Sequence, residues 1–144
     1  MSGTTNVPGV CILIRKNGKG LFILRSNTGW RDNEYAVPSG HVEKDETFKQ
    51  AAVRETLEEV GLNIRPEDLI YKTTIHRQSP DSTRIDVWFE ALVWSGEPKN
   101  METDKHSKIE WIKLDELPEN SIDYISYGIE CIDTEQSYGE IGWS

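Results

Sequence analysis

The chain has 144 residues, 36% of them hydrophobic, and its 16 Lys and Arg against 25 Asp and Glu give a net charge of −9 and a pI near 4.8. That length suits a single domain spanning residues 1–144 with a real core. The acidic balance argues against binding long nucleic acid through a basic surface, yet leaves a small anionic substrate open, because a bound metal and a few local Arg or Lys invert the local field.

No signal peptide opens the chain, and no apolar run approaches the roughly 18 residues of a membrane span, so a soluble cytoplasmic protein is expected. Val7 to Lys16 reads as a strand, Asn17-Gly18-Lys19-Gly20 as a turn, and Leu21 to Arg25 as the antiparallel return. Ser26 to Glu34 is a polar loop around Gly29 and Trp30, after which Tyr35-Ala36-Val37 runs extended into a turn at Pro38-Ser39-Gly40. Thr47 to Val60 reads as a helix, with Asp45 or Thr47 as its cap and Gly61 suited to the left-handed position past its end. Its apolar arc is Ala52, Val53, Thr56, Leu57 and Val60. Pro66-Glu67-Asp68 is a turn, Leu69 to Arg77 and Arg84 to Trp94 are longer strands, and Ile109 to Leu114 is a further one. Ile122 to about Thr134 reads as a second helix, with Ile122, Ile125, Ile129 and Ile132 at spacings of three and four. Cys11 in the first strand and Cys131 in the last helix suit neither a zinc site nor a disulfide framework, so buried thiols in a reducing compartment are expected. Sheet segments broken by one central and one late helix imply an α+β or α/β/α sandwich.

Three glutamates of the central helix, Glu55, Glu58 and Glu59, fall within an arc of about 100°, because positions i, i+3 and i+4 share a face. Like charges at such spacings repel by about 0.2–0.5 kcal/mol per pair, so a plain solvated helix gains nothing from them. A divalent cation reverses the sign of that cost, and hard cations such as Mg²⁺ hold carboxylates and substrate phosphates together. Arg54, four residues before Glu58, can hold one carboxylate while others bind metal.

The stretch GHVEKDETFKQAAVRETLEEVGL, Gly40 to Leu62, resembles the Nudix box of the Nudix hydrolases, matching it at Gly40, Glu46, Arg54, Glu55, Glu58, Glu59 and Gly61. Two departures are Thr56, where an aliphatic residue is usual, and Pro38-Ser39-Gly40, where the family commonly has Pro-Gly-Gly. The resemblance implies a mixed sheet flanked by the glutamate-bearing helix and a C-terminal helix. It implies that Glu55, Glu58 and Glu59 ligate Mg²⁺ (Mn²⁺ being the alternative), that the Ser39 carbonyl adds an oxygen, and that Glu46 supports Arg54 and the metal site indirectly. The reaction it implies is attack of water on a phosphorus of a nucleoside diphosphate linked to another moiety. The base that takes the water proton is Glu55 or a glutamate outside the box. Of the outside residues, Glu110 in IEWIKLDEL stands first, because family members often carry a metal-site carboxylate at the start of that strand; Glu90 and Glu102 are weaker rivals.

Arg25, Arg77 and Arg84 lie in or beside strands that should border the cleft and are candidates to pair with phosphates. Trp30, Tyr35 and Trp88 are candidates to stack on a base, although aromatic residues in strands are more often core. Asn120 occupies a place where MutT-like members use an asparagine to read a purine, although Asn-Ser is also an ordinary helix N-cap, the stronger of the two readings. By elimination of subfamily markers, the expectation is a MutT-like nucleoside triphosphate pyrophosphohydrolase, monomeric or homodimeric, with a small nucleotide substrate. An ADP-ribose or nucleotide-sugar pyrophosphatase is the runner-up. A non-catalytic nucleotide-binding module on the same fold, which usually loses box carboxylates, comes third.

Overall fold

Continuous apolar runs flanked by polar turns make strands covered on both faces, and the computed structural model, which describes residues 5–144, bears this out at β1 (Asn6–Lys16). Met1 to Thr4, the first residues of the expected 1–144 domain and the place where a leader would begin, lie outside the described residues. From Gly9 to Ile14 every residue of β1 is buried. The strand sits between β2 (Lys19–Arg25), which it meets antiparallel, and β6 (Thr83–Ala91), which it meets parallel. Asn17 and Gly18, both at positive φ, form the two-residue turn of the first hairpin.

Beyond β6 come β5 (Leu69–Gln78), antiparallel to it, and β8 (Tyr138–Ile141), parallel to β5. On the other side, β2 pairs with β3 (Tyr35–Ala36) and β7 (His106–Lys113). The result is a mixed sheet ordered β3-β2-β1-β6-β5-β8, with β4 (Ser39–His41) paired to β1. Helix α1 (Phe48–Val60) packs on β1 and β4, and α2 (Asp123–Asp133) packs on β5 and β8. This is the expected α+β arrangement of one mixed sheet and two helices.

Several expectations are corrected. Pro38-Ser39-Gly40 is not a turn: Ser39 and Gly40 lie in β4, where Cys11 and Val10 of β1 face them across the ladder. Strand β6 ends at Ala91 rather than Trp94, because Ser95 leaves the sheet to exchange backbone hydrogen bonds with Asn63. The buried arc of α1 is Ala51, Ala52, Thr56, Glu59 and Val60, whereas Leu57 is 44% exposed. The helix is therefore turned so that one carboxylate enters the protein and one leucine leaves it. Asn120 does not cap α2; the N-cap is Ile122 with no side-chain bond, and the Asn120 amide instead donates to the Asn33 carbonyl at 2.9 Å. Strand β8 is an addition that the polar composition of 138–141 conceals.

Thr47 caps α1 by accepting the Gln50 N–H, and Gln50 returns the bond to the Thr47 N–H. Gly61 closes the other end at φ 71°. Both cysteines are buried free thiols. Trp88 is core, and Tyr35 is nearly so, its hydroxyl donating to Glu110.

Candidate active site

A helix that buries a carboxylate must supply it with partners, and α1 does so through β4. Glu59, 8% exposed, accepts the Ser39 N–H at 2.8 Å. Burial pushes its pKa well above the usual carboxylate range, and the negative charges of Glu55 and Glu102 push it further. Glu55 lies under Gly40: a Cβ built on that glycine would stand 2.2 Å from the Glu55 carboxyl carbon. Only glycine lets the backbone approach so closely. Glu55 is raised too, chiefly by desolvation, while Arg54 pulls it the other way.

Arg54 organises the rest. Its Nε and one terminal nitrogen meet both oxygens of Glu46 at 2.7 and 3.0 Å. The other terminal nitrogen bonds Glu55 at 2.7 Å and Glu58 at 3.3 Å, and a further bond reaches the His41 carbonyl at 3.0 Å. The forked guanidinium thus fixes the carboxylates and ties α1 to β4. Hydrogen bonds from Arg54 hold the Glu46 carboxyl down at about 2. Glu58 is half exposed on the same face.

The outside glutamate that the fold brings to this face is Glu102, from the loop before β7. A carboxylate oxygen of Glu59, one of Glu102 and a ring nitrogen of His106 lie within 4.8 Å of one another. Glu110 stands elsewhere. Four residues along an extended strand from His106 displace it by about 13 Å, and its carboxylate is taken by the Tyr35 hydroxyl at 2.9 Å and the Lys108 ammonium at 3.0 Å. Glu90 is buried against Arg15. His106 has no counterpart among the sequence candidates; the signal available was a histidine four residues after Glu102, at the head of a strand whose partner ends at Arg25.

From Ser39, Gly40 and Glu59 a cleft of about 690 Å³ opens between the sheet and the loops, a size that suits a nucleotide. Arg25, Arg77 and Arg84 all line it, as do Trp30 and Tyr124. The three arginines differ in how far their charge is spent. Arg77 is neutralised by Asp86 at 2.6 Å and lies over the Tyr124 ring at 3.7 Å. Arg25 donates to the Trp30 carbonyl and the Thr28 hydroxyl and stacks on the Trp30 ring at 4.9 Å. Arg84 donates to the His41 ring at 2.6 Å, so that nitrogen is an acceptor and His41 is neutral. Burial, then the Arg84 charge, lowers the His41 titration accordingly. The buried Arg84 Nε–H has no hydrogen-bond partner among the described residues, and the terminal Nη2 of the same guanidinium lies 3.9 Å from the exposed Asp81 carboxylate. Asn120 is not among the lining residues.

The donor set fits a divalent cation. Crowded carboxylates, Glu55 and Glu59 raised chiefly by burial and further by neighbouring negative charge, converge beside a carbonyl-bearing strand. Among the described residues the cations that offset them are Arg54 on Glu55, Arg25 more distant from Glu59, and Lys105 at 3.7 Å from Glu102.

Comparison with known proteins agrees with this geometry. The family described as NUDIX domain matches residues 5–127. The chain is 32% identical over 119 residues to the ADP-ribose pyrophosphatase of Methanocaldococcus jannaschii, covering 81% of this chain and 69% of that protein. It is 34% identical over 104 residues to the 8-oxo-dGTP diphosphatase of Escherichia coli, covering 71% and 76%. A shorter match, 38% over 63 residues, to the m7GpppN-mRNA hydrolase NUDT17 of Danio rerio covers 42% of this chain and only 21% of that protein. In structure the chain resembles a MutT NUDIX hydrolase from Burkholderia pseudomallei, with a TM-score of 0.81 at 23% identity, covering 88% of this chain and 97% of that one.

Proposed function

The chain belongs to the Nudix family of hydrolases, and we propose that it uses a divalent cation of the Mg²⁺ or Mn²⁺ kind to cleave a nucleoside triphosphate into a nucleoside monophosphate and pyrophosphate. The observation that carries this reading is Glu59 on the Ser39 N–H and Glu55 against Gly40 at one end of an arginine-lined cleft, with Glu58 joined to Glu55 through Arg54. Glu55, Glu58, Glu59 and the Ser39 carbonyl would hold the cation. When bound, it supplies positive charge against the phosphoryl oxygens where negative charge builds.

The chain's own residues do the rest. Glu55 is the proton acceptor for the attacking water: desolvation raises its basicity, and Gly40 and Arg54 fix its position. Arg25, which donates to the neutral Trp30 carbonyl and Thr28 hydroxyl, and Arg84, whose ion pair with the exposed Asp81 is long at 3.9 Å, receive the substrate's anionic groups. Trp30, 46% exposed at the cleft, offers a face to a base. The alternative substrate class is ADP-ribose or a nucleotide sugar, favoured by the archaeal relative matched over 81% of this chain. All the box carboxylates are present, which argues against a non-catalytic module.

A panel of nucleoside triphosphates, ADP-ribose and nucleotide sugars, incubated with the purified protein and Mg²⁺ or Mn²⁺, tests the reading. Pyrophosphate release from triphosphates with the highest kcat/KM supports it; a preference for ADP-ribose moves the assignment to the alternative, and no release from any compound refutes both. Arg84→Gln should raise KM for the preferred substrate by about 10- to 100-fold with little change in kcat, since a charge-assisted hydrogen bond made in ground and transition states alike is worth about 1.5–3 kcal/mol. Steady-state kinetics check this; an unchanged KM would place the anion elsewhere.

A further inference from the structure

The loop leading into β7 is built to hold two side chains still. The Glu102 carbonyl accepts the N–H groups of Lys105 and His106, each at 2.9 Å. Asn100 clamps the same turn, accepting the Glu102 N–H at 3.2 Å and donating to the His106 carbonyl at 2.7 Å. His106 is thereby fixed at the head of β7, across from Arg25, and only 3% exposed. Its Nδ1 is buried with no hydrogen-bond partner among the described residues. An orphaned buried polar atom costs about 1–3 kcal/mol, so a fold that keeps one on a ring that stands near two carboxylates has a use for that ring. Glu59 and Glu102 each place an oxygen within 4.8 Å of a nitrogen of that ring. Two carboxylates and a neutral imidazole offer lone pairs to a shared point, which suits a cation.

We propose that His106 gives the divalent-cation site a nitrogen ligand alongside the carboxylates of Glu59 and Glu102, and that this donor set favours first-row transition cations over Mg²⁺. All-oxygen sets suit Mg²⁺, whereas an imidazole ligand shifts preference toward the transition row. The inference rests on the reading of this face as a hydrolase site, but its test needs no turnover.

The full chain, stripped of metal, is titrated with MnCl₂ alone. Pulsed electron paramagnetic resonance should show coupling of Mn²⁺ to an imidazole ¹⁴N in the wild type, retained in His41→Gln and His76→Gln and lost in His106→Leu. Calorimetric titration with Mn²⁺ and Mg²⁺ separately should show the Mn²⁺ to Mg²⁺ affinity ratio falling about 10- to 100-fold in His106→Leu. If that variant does not fold, the wild-type spectrum and the two other histidine variants decide. Absence of Mn²⁺ binding, Mn²⁺ bound without ¹⁴N coupling, coupling that disappears with His41 or His76, or an unchanged affinity ratio each overturns the proposal. Hydrolysis is scored separately: nucleotide cleavage without ¹⁴N coupling rejects the ligand and keeps the enzyme, and coupling without cleavage does the reverse.

Discussion

Replacing Glu59 with glutamine is expected to give a protein that melts higher than the wild type when metal-free and turns substrate over about a thousand-fold more slowly. The first half follows from burial. Glu59 is desolvated, and Glu55 and Glu102 repel its charge, so its folded pKa lies well above the unfolded value of about 4.3. A raised carboxyl contributes stability that is fully present below the unfolded pKa and is lost as pH rises through the folded one. Above the unfolded pKa the metal-free wild type therefore bears the cost of either charging or protonating a buried carboxyl, a cost that glutamine removes, while the amide oxygen still accepts the Ser39 N–H. Each kcal/mol recovered raises Tm by about 2–4 °C in a chain of this size. Calorimetry in EDTA should show the gap between variant and wild type closing as pH falls toward the unfolded pKa. The second half follows from the cation: stabilisation of transition-state charge worth several kcal/mol is about three powers of ten in rate. Added divalent cation should raise the wild-type Tm and leave that of the variant nearly unchanged. A Glu59→Gln protein that melts lower at pH 8, or that keeps near-normal turnover, would contradict the assignment. Stability lost for function at one residue is the pattern a working site predicts.

What could be read in the sequence divides by the range of the forces involved. The Thr47 cap and the Gly61 terminus of α1 rest on hydrogen bonds closed within four residues, and both were legible. So was the spacing that joins Arg54 to Glu58, and with it the convergence of the box carboxylates on one helix face. The rotation of the helix was not. Leu57 belonged to the apolar arc by composition, yet the N–H of Ser39, twenty residues upstream, draws Glu59 inward instead. Strands β4 and β8 were likewise hidden, because each has few residues and takes its hydrogen bonds from a distant partner, β1 or β5. Glu110 lies inside β7 and Glu102 in the loop four residues before it, so nearness to that strand favoured Glu110. The register of β7 against β2, which sets His106 beside Arg25 and Glu110 beside Phe22, separates them. Asn120 carried the right chemistry for a cap and for a purine reader; it does not cap α2, and its amide donates to the Asn33 carbonyl.

Gly40→Ala is expected to cost about a hundred-fold in kcat/KM while shifting Tm by no more than a few degrees. An alanine Cβ at this position would fall 2.2 Å from the Glu55 carboxyl carbon and Oε1 and 2.7 Å from Oε2. Nothing can stay at those distances, but what yields is the far end of a flexible side chain and not a strand. The β4 to β1 ladder at Gly40 and Val10 survives, and with it the fold. The Glu55 carboxylate moves, its 2.7 Å bond to Arg54 breaks, and the proton acceptor leaves the place where an attacking water would meet it. A displacement of about 1 Å at a reacting group costs about a hundred-fold. Ser39 supplies the contrast within the same tripeptide. It lies in β4 and is not among the residues at positive φ, so Ser39→Gly should leave kcat/KM within a few-fold of wild type. Paired kinetics and calorimetry on the two variants decide the matter. If Gly40→Ala retained full activity, Glu55 would not act from its place against Gly40. If it unfolded, the glycine would be serving the sheet and not the carboxylate. Of the two small residues before the helix, the second is constrained by the chemistry, through the carboxylate that its missing side chain admits.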